Sequence, residues 1–356
     1  MAGTTVYSAL KFAHYPDRLR AIAAGRLAAP VHVRIKPINR CNHDCWYCAY
    51  RVSNLTLGET MDTRDAIPRD KMLEIADDFV ACGVQAVTFS GGGEPLLYKP
   101  LPDVIERLAA GGIRIGCLTN GDALTGRNAE ALACHATWVR ISIDGWDDTS
   151  YARLRNVREG AFSRVLNNMR AFADRRSGCE LGASVIITED NHAHLADLVE
   201  KLKAAGCDHV KLAGVVVSTD GAENNAYHRR LAPTVNDEVA RARALQAPGF
   251  TVVDHYHELD ERFERPYTFC PNIQFNPVIG GDSQIYTCQD KAFMDDGWLG
   301  DLRERPFHEL WFSEALRRRV YAVNPSRHCR HQCASHRKIL TMLEYLNVDP
   351  EHGRFV

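Results

Sequence analysis

Two rhythms of apolar and polar positions alternate along this chain. Short runs with a two-residue period, of which Val31-His32-Val33-Arg34-Ile35-Lys36-Pro37 is the first, predict β-strands. Further strands are predicted at residues 85–90, 113–118, 138–143, 182–187 and 209–212. Amphipathic runs between them predict helices at 71–81, 101–110, 128–134, 162–172, 194–204 and 235–245. Six strand-then-helix units predict an α/β fold whose strands are parallel and joined by right-handed crossovers.

Composition narrows the possible functions. The 356 residues carry 43 Lys and Arg against 45 Asp and Glu, a net charge of −2, so no strong field is directed at nucleic acid or an anionic membrane. Neither a signal peptide nor a membrane span is recognisable, and we expect a cytoplasmic protein. Twelve cysteines in a chain without an export signal favour metal or redox chemistry over disulfides.

Three of these cysteines follow the first predicted strand directly. Cys41, Cys45 and Cys48 are separated by three and then two residues, so one short loop can bind three irons of a [4Fe-4S] cluster and leave the fourth iron open. A zinc site that includes His43 is the alternative, but zinc ribbons use two separate pairs of cysteines. A disulfide framework is disfavoured because the chain is long and shows no sign of export.

Polar residues end several of the following strands. Gly91-Gly92-Gly93-Glu94 follows the second strand, where glycines allow positive backbone angles and close approach to a ligand. Asn120 closes the third strand. On the fourth, strand alternation places Arg140, Ser142 and Asp144 on one face, toward the barrel interior if Ile141 and Ile143 face the helices. Parallel barrels carry their chemistry at these carboxyl ends.

The cysteine spacing and the glycine-rich turn resemble the radical S-adenosylmethionine (SAM) superfamily. The resemblance implies a partial (β/α)6 barrel, a three-cysteine [4Fe-4S] cluster and bound SAM. It also implies SAM contacts at Tyr47, Gly92, Gly93, Glu94, Asn120, Ser142, Asp144, Arg153, Arg155, Ile187 and Leu212. Arg153 and Arg155 are alternatives for pairing with the SAM carboxylate, and Val185 is an alternative to Ile187 beside the adenine.

A second cysteine set lies near the C-terminus. Residues 273–278 and 284–287 flank Gly280-Gly281-Asp282, which predicts a hairpin that brings Cys270 toward Cys288. Cys329 and Cys333 complete a set that can hold zinc or an iron-sulfur cluster. Next to a radical SAM barrel, this set resembles the twitch domain, a shorter relative of the SPASM domain, and implies one auxiliary [4Fe-4S] cluster. The spacing of the last pair departs from the usual two residues, and His328, His331 or His336 can replace one cysteine as ligand.

These features divide the chain into four segments. Residues 1–29 are a lead-in, 30–215 the barrel, 216–268 a bridging segment and 269–345 a small α+β twitch or SPASM-like domain. The resemblance to aminocyclitol dehydrogenases and aminoglycoside epimerases implies a radical SAM oxidoreductase. Such an enzyme cleaves SAM to a 5'-deoxyadenosyl radical and abstracts hydrogen from a small polar, sugar-like substrate. A flavodoxin- or ferredoxin-type electron donor is expected.

Two radical SAM reactions remain open, and two other classes of protein are alternatives. Oxidation of a secondary alcohol is favoured over epimerisation, which requires a hydrogen-donating thiol. Cys117, at the end of the third strand, is the candidate, although a small core residue is the alternative. A peptide-modifying radical SAM enzyme and a non-catalytic iron-sulfur or zinc protein are the other classes.

Overall fold

The computed structural model of this protein describes residues 7–52, 55, 57–176, 178–256, 263–349, 351, 352 and 355. Within these ranges seven parallel strands, β1 to β7, are His32–Ile35, Ala86–Phe89, Arg114–Thr119, Ala136–Ser142, Glu180–Ile187, His209–Gly214 and Thr251–Asp254. Three more, β8 to β10, are Val278–Ile279, Gln284–Tyr286 and Trp298–Asp301. All ten form one sheet in the order β10-β9-β8-β1-β2-β3-β4-β5-β6-β7.

Helices connect the parallel strands and pack on one face of the sheet. In the described ranges, α1 to α7 are Pro16–Ala23, Arg69–Cys82, Leu101–Ala110, Gly126–His135, Asp148–Arg155, Ala161–Arg175 and Leu195–Ala204. Helices α8 to α13 are Gly221–Ala244, Asn272–Phe275, Phe307–Trp311, Glu314–Ala322, Pro325–His328 and His336–Leu346. Short 3₁₀ helices span Ala9–His14, Pro95–Leu97, Gln289–Lys291 and Asp295–Gly297. The strand and helix alternation confirms the predicted α/β partial barrel.

The main apolar core lies between the sheet and its helices. On β4, Val139 and Ile141 have no exposed surface and belong to this core. Arg140 and Ser142 alternate with them and are half-buried, so they face the inside of the curved sheet. The alternation of this strand therefore predicted the correct face. The inner face is polar at several strands, and it positions the candidate site at the carboxyl ends.

The bridging segment differs from its prediction. Residues 216–268 contain α8, which packs on α7, and β7, which pairs with β6. A large part of this segment therefore extends the barrel instead of leading out of it. Helix α5 was also not predicted, because its 8 residues include few apolar ones.

The C-terminal segment continues the sheet of the barrel. The predicted hairpin is present, with Val278 paired to Tyr286 in antiparallel fashion, and β8 also pairs in parallel with β1. Residues 272–275 form a helical turn instead of the predicted strand, which shortens β8 to 2 residues. Among the described residues, no helix is both long and apolar enough to cross a bilayer.

Candidate active site

The first cysteine set lies on the loop after β1, at the carboxyl edge of the sheet. Cys41, Cys45 and Cys48 are each half-buried. Helix α5 anchors this loop, because the Asp44 amide donates to the Arg155 carbonyl at 3.0 Å and Arg155 Nη1 lies 3.6 Å from Cys45 Sγ. Burial raises the pKa of the Cys41 thiol to about 11. A thiolate here therefore needs a nearby positive charge, which iron ions supply.

The glycine-rich turn packs tightly against the cysteine loop. A Cβ on Gly93 would lie 2.0 Å from the Arg40 carbonyl oxygen, and one on Gly92 would lie 2.3 Å from Asn39 Oδ1. The Gly93 amide donates to the Ile38 carbonyl at 3.0 Å. The φ angles of Gly91, Gly92 and Gly93 all lie outside the left-handed region, so this turn does not use the positive angles that glycine allows. Gly93 is needed because its backbone passes in contact with that of Arg40, and Gly92 because it lies against the Asn39 side chain.

Glu94 is the one carboxylate of this turn, and it is only 3% exposed. Its Oε1 accepts hydrogen bonds from the Leu96 amide at 3.0 Å and from Thr119 Oγ1 at 2.5 Å. Its Oε2 accepts from the Asn120 amide at 2.8 Å. Burial raises the pKa of Glu94. Oε2 keeps acceptor capacity, since an ionised carboxylate oxygen accepts about two hydrogen bonds.

A buried acid, base and phenol lie on the other side of the loop. Asp144 is 0% exposed, and its Oδ2 accepts hydrogen bonds from both Tyr47 Oη and Arg155 Nη2, while its Oδ1 accepts from the Ile186 amide at 2.6 Å. Although burial lowers the pKa of Arg155, the adjacent Asp144 raises it overall. Arg155 Nε is buried and has no acceptor among the described residues. This donor is available to an anionic group of a ligand.

The structure decides between the two arginines. Arg155 is buried beside Cys45, whereas Arg153 has a side chain that is 63% exposed and pairs with Asp190 at 3.5 Å on the surface. Of the two alternatives, Arg155 is therefore the arginine that lies at the cysteine loop. Asn120 links β3 to the cysteine loop, because its Nδ2 donates to Asn42 Oδ1 at 2.8 Å.

Three other predicted site residues lie in the apolar core. Cys117, Ile187 and Leu212 have no exposed surface and pack between sheet and helices. Burial raises the pKa of Cys117 well above its usual value. These residues occupy the helix-facing positions of their strands, so the side chains of Ile187, Leu212 and Cys117 do not lie on the inner face, where the predicted adenine contacts and hydrogen donor would be needed. The interior-facing neighbours on the same strands are Ile186 and Ala213.

The second cysteine set surrounds a single cavity of about 80 Å³, which Cys270, Cys288, Cys329 and Cys333 all line. They come from the starts of α9 and α13 and the ends of β9 and α12, so the fold gathers four distant positions. Burial raises the pKa of Cys270 and Cys333 to about 12. Across the described residues, no three Cys, His, Asp or Glu side chains are close enough to hold a single metal ion.

The polar atoms around this cavity fit a cluster with four cysteine ligands. Arg34 Nε, Asn272 Oδ1, Asn276 Oδ1 and His331 Nε2 are buried without a hydrogen-bond partner, and all four residues line the cavity. Ligands of a four-iron cluster bind different irons, so they stand further apart than ligands of one ion, and cluster sulfurs accept hydrogen bonds. Arg34 supplies a donor directly, and an asparagine amide does so if its O and N are exchanged.

The three histidines near this set have separate surroundings. His331 lines the cavity with the cysteines. His328 accepts a hydrogen bond from the Asn324 amide at 3.2 Å, and the His336 ring stacks on Tyr267 at 5.7 Å between centroids. Replacement of a cysteine ligand by histidine is therefore restricted to His331.

A buried polar group that the sequence did not reveal connects the two cysteine sets. Lys36 is 1% exposed, and its Nζ donates to the Gly91 carbonyl and, at 2.7 Å, to Tyr50 Oη. Tyr50 Oη donates in turn to the Gln289 carbonyl at 2.8 Å, beside Cys288. Asp290 lines the cysteine cavity, and burial raises its pKa. The only sequence signal was the position of Lys36 on the same face of β1 as Arg34.

Tyr7 occupies the amino-terminal end of the barrel interior. Arg140 Nη1 donates to Tyr7 Oη at 3.1 Å, and His209 Nε2 lies 3.1 Å from the same oxygen. Glu180 lies 2.7 Å from His209 Nδ1. Arg140 and His209 are therefore engaged at the floor of the barrel, away from the cysteine loop.

Comparison with known proteins agrees with this architecture. Residues 35–202 match the protein family described as the Radical SAM superfamily. A GTP 3',8-cyclase of Xanthomonas campestris is 28% identical over 77% of this chain and 83% of its own length. A pre-heme d1 synthase of Dinoroseobacter shibae is 30% identical over 65% and 56%, respectively. A probable GTP 3',8-cyclase of Halobacterium salinarum is 30% identical, but this chain spans only about half, 47%, of its length.

Solved structures show the same fold. SuiB of Streptococcus suis, in a structure bound to S-adenosylmethionine, gives a TM-score of 0.62 at 17% identity over 90% of this chain and 75% of that one. The native anSMEcpe structure with AdoMet gives 0.58 at 14% identity over 89% and 99%, respectively. At such identities the likeness concerns the fold alone.

Proposed function

Because residues 35–202 match the Radical SAM superfamily, we propose that this chain is an enzyme that oxidises a small polar, sugar-like substrate at a secondary alcohol. The observation that carries the proposal is the four-cysteine cavity, whose lining also includes the half-buried carboxylate Asp290. When bound, SAM and a cluster on Cys41, Cys45 and Cys48 supply a carbon-centred radical that abstracts hydrogen. A cluster on the four distant cysteines supplies a one-electron acceptor.

The chain supplies SAM-binding groups of matching charge. Glu94 Oε2 keeps an acceptor position for the methionine ammonium, and Arg155 Nε is a buried donor for the methionine carboxylate. Asp144 holds Arg155 in place and is itself held by Tyr47. Such charge-assisted contacts are stronger than neutral ones and orient the ligand.

Oxidation is favoured over epimerisation because the barrel interior lacks a free thiol. All twelve cysteines lie within the described residues. Besides the seven proposed ligands, Cys117, Cys179 and Cys207 are buried in the apolar core, Cys134 is exposed on α4 and Cys82 ends α2. None of these five thiols is on the inner face of the sheet, so the hydrogen donor that epimerisation requires is missing from that face.

Asp290 lies beside the proposed cluster site, because it lines the four-cysteine cavity. Burial raises its pKa, while Arg34 and Lys36 lower it, so the carboxylate is held near cations in a low-dielectric site. After hydrogen abstraction from carbon, the hydroxyl proton passes to water and one electron leaves the substrate, which yields a carbonyl. The hydrogen atom, proton and electron together account for a two-electron oxidation.

A larger cavity, distinct from the four-cysteine cavity, has a lining that suits a small polar substrate. It has a volume of about 940 Å³ and opens beside the start of α8. Its lining includes Thr219, Asn225, Arg229, Arg265 and Ser326, which are hydrogen-bonding or charged groups. Arg265 also lines the four-cysteine cavity, so the two spaces adjoin. Such a lining suits a ligand with several hydroxyl or amino groups.

The test is anaerobic turnover of candidate aminocyclitols and sugars in heavy water with reductant and SAM. We expect a carbonyl product without deuterium on carbon and one equivalent of 5'-deoxyadenosine for each product molecule. Deuterium on the product carbon would instead establish epimerisation, and turnover of peptides alone would establish a peptide-modifying enzyme.

A further inference from the structure

We infer that Arg34 is a positioning residue for the cluster proposed in the four-cysteine cavity, to which it donates a hydrogen bond and which it makes a better electron acceptor. This inference rests on the proposed function, since it requires that cluster. It goes further because Arg34 belongs to the first strand of the barrel and not to the C-terminal segment that supplies the cysteines.

The position of Arg34 follows from the register of the sheet. Arg34 pairs with Thr88 on β2 and with Val278 on β8, so it lies at the junction between barrel and C-terminal hairpin. Its neighbours Val33 and Ile35 are at most 1% exposed and face the helices. Alternation therefore directs Arg34 inward, where it lines the cavity with Cys270 and Cys288.

The guanidinium of Arg34 is incompletely satisfied by the protein. Its Nε is buried and has no acceptor among the described residues. A buried donor without a partner costs about 1–3 kcal/mol, so an acceptor in the cavity would stabilise the fold. Burial lowers the pKa of Arg34, while Asp290 and Cys288 raise it, which places negative charge on the cavity side. Cluster sulfurs are acceptors of this kind.

The cavity is surrounded by more positive than negative side chains. Arg34 and Arg265 line it, and Lys338 on α13 is near enough to Cys270 and Cys333 for these thiols to raise its pKa against the effect of burial. Asp290 is the carboxylate that lines the same cavity. Because reduction adds one negative charge to a cluster, surrounding cations raise its reduction potential, and the effect is larger in a low dielectric.

The test compares Arg34→Met with Arg34→Gln and a matched control, Arg114→Met, which changes an exposed arginine at the start of β3. All are made in the full chain carrying C41A, C45A and C48A, so that only the second cluster gives a signal. The midpoint potential is read by redox titration followed by electron paramagnetic resonance. We expect Arg34→Met to lower the equilibrium constant for reduction about tenfold, which is a shift of about 59 mV for one electron.

The other variants separate the effect of the Arg34 charge on the potential from that of its hydrogen bond. Arg34→Gln keeps an N–H donor without the charge, so it should shift the potential in the same direction by less, and Arg114→Met should leave it unchanged. Asp290→Asn removes a negative charge and should shift it the opposite way. An unchanged potential in Arg34→Met and Arg34→Gln, with iron content equal to the parent, overturns the inference. Absence of iron from the C41A, C45A, C48A parent overturns the proposed function itself.

Discussion

The two cysteine sets differ in the charge that predominates around them. Buried carboxylates predominate near the first set, and arginines predominate around the second. Near the loop with Cys41, Cys45 and Cys48, the buried carboxylates are Glu94 and Asp144, and Arg155 is paired with the second of them. Around the four-cysteine cavity, the charged lining is Arg34 and Arg265 against Asp290. The first environment suits a ligand with cationic ammonium and sulfonium groups, whereas the second suits an anionic cluster that gains an electron. The cysteines of the two sets thus have neighbours of different charge.

The largest effects on SAM cleavage and product formation are expected when each cysteine set is mutated separately. Replacing Cys41, Cys45 and Cys48 by alanine should abolish SAM cleavage, because no cluster with an open iron remains. Replacing Cys288 and Cys333 by alanine should leave SAM cleavage measurable and abolish the oxidised product. The measurements are 5'-deoxyadenosine by chromatography and iron per chain.

Cys134→Ala is the matched control, since this cysteine is exposed on an outer helix. The comparison breaks if both sets of substitutions remove the same share of iron and both abolish SAM cleavage. In that case the seven cysteines would serve one centre.

A smaller effect, on SAM binding, is expected from substitutions beside the loop that carries Cys41, Cys45 and Cys48. Arg155→Met leaves Asp144 buried without its ion pair, and removing one partner of a buried pair costs about 3–5 kcal/mol. We expect SAM binding to weaken by a hundredfold or more, measured by equilibrium binding to the reconstituted protein. Arg153→Met changes an exposed side chain two positions away and should alter binding by less than about twofold. Equal effects of the two substitutions would contradict the assignment of Arg155.

The smallest effect concerns acid stability beside the four-cysteine cavity. His32 lies 2.8 Å from Thr88 Oγ1, and burial, followed by Arg34 and Lys338, lowers the pKa of His32 to about 3. Its folded pKa is below the unfolded value of about 6.5. The neutral form therefore stabilises the fold fully above that pH, and the contribution is lost as the pH falls toward 3.

Between pH 7 and pH 5 this histidine should account for about 1–2 kcal/mol of the free energy of unfolding, measured by urea denaturation. His32→Gln should reduce the loss, and His135→Gln, at the exposed end of α4, should not. If the parent and His32→Gln lose the same free energy of unfolding between pH 7 and pH 5, the cations around the cavity do not influence the His32 imidazole.

The sequence predicted features that depend on neighbouring residues. Helix α3 was predicted with the bounds that the structure shows, because Leu101, Val104, Ile105 and Leu108 repeat at helical spacing and are all fully buried. Strand alternation placed Arg140 and Ser142 correctly on the inner face. The glycine-rich turn was correctly located, but for a reason that only the packing against Arg40 reveals.

The features that the sequence did not predict depend on contacts between distant segments. Lys36 meets Gly91, and Tyr50 meets Gln289, across separations that no periodicity encodes. Cys117 looked accessible from its place near a strand end, but the side of the sheet that it faces is set by the packing of the helices. The choice between Arg153 and Arg155 depended on where α5 begins, which its weak apolar pattern did not show.

The parallel pairing of β8 with β1 has a consequence for how the protein can be divided. A chain truncated after residue 256 would leave β1 with an unpaired edge in the middle of what is now a ten-stranded sheet, and such edges promote aggregation. Cys41 and Cys288 likewise follow strands β1 and β9 of one continuous sheet. An electron that crosses between them would therefore travel a fixed path and would not wait for two bodies to close.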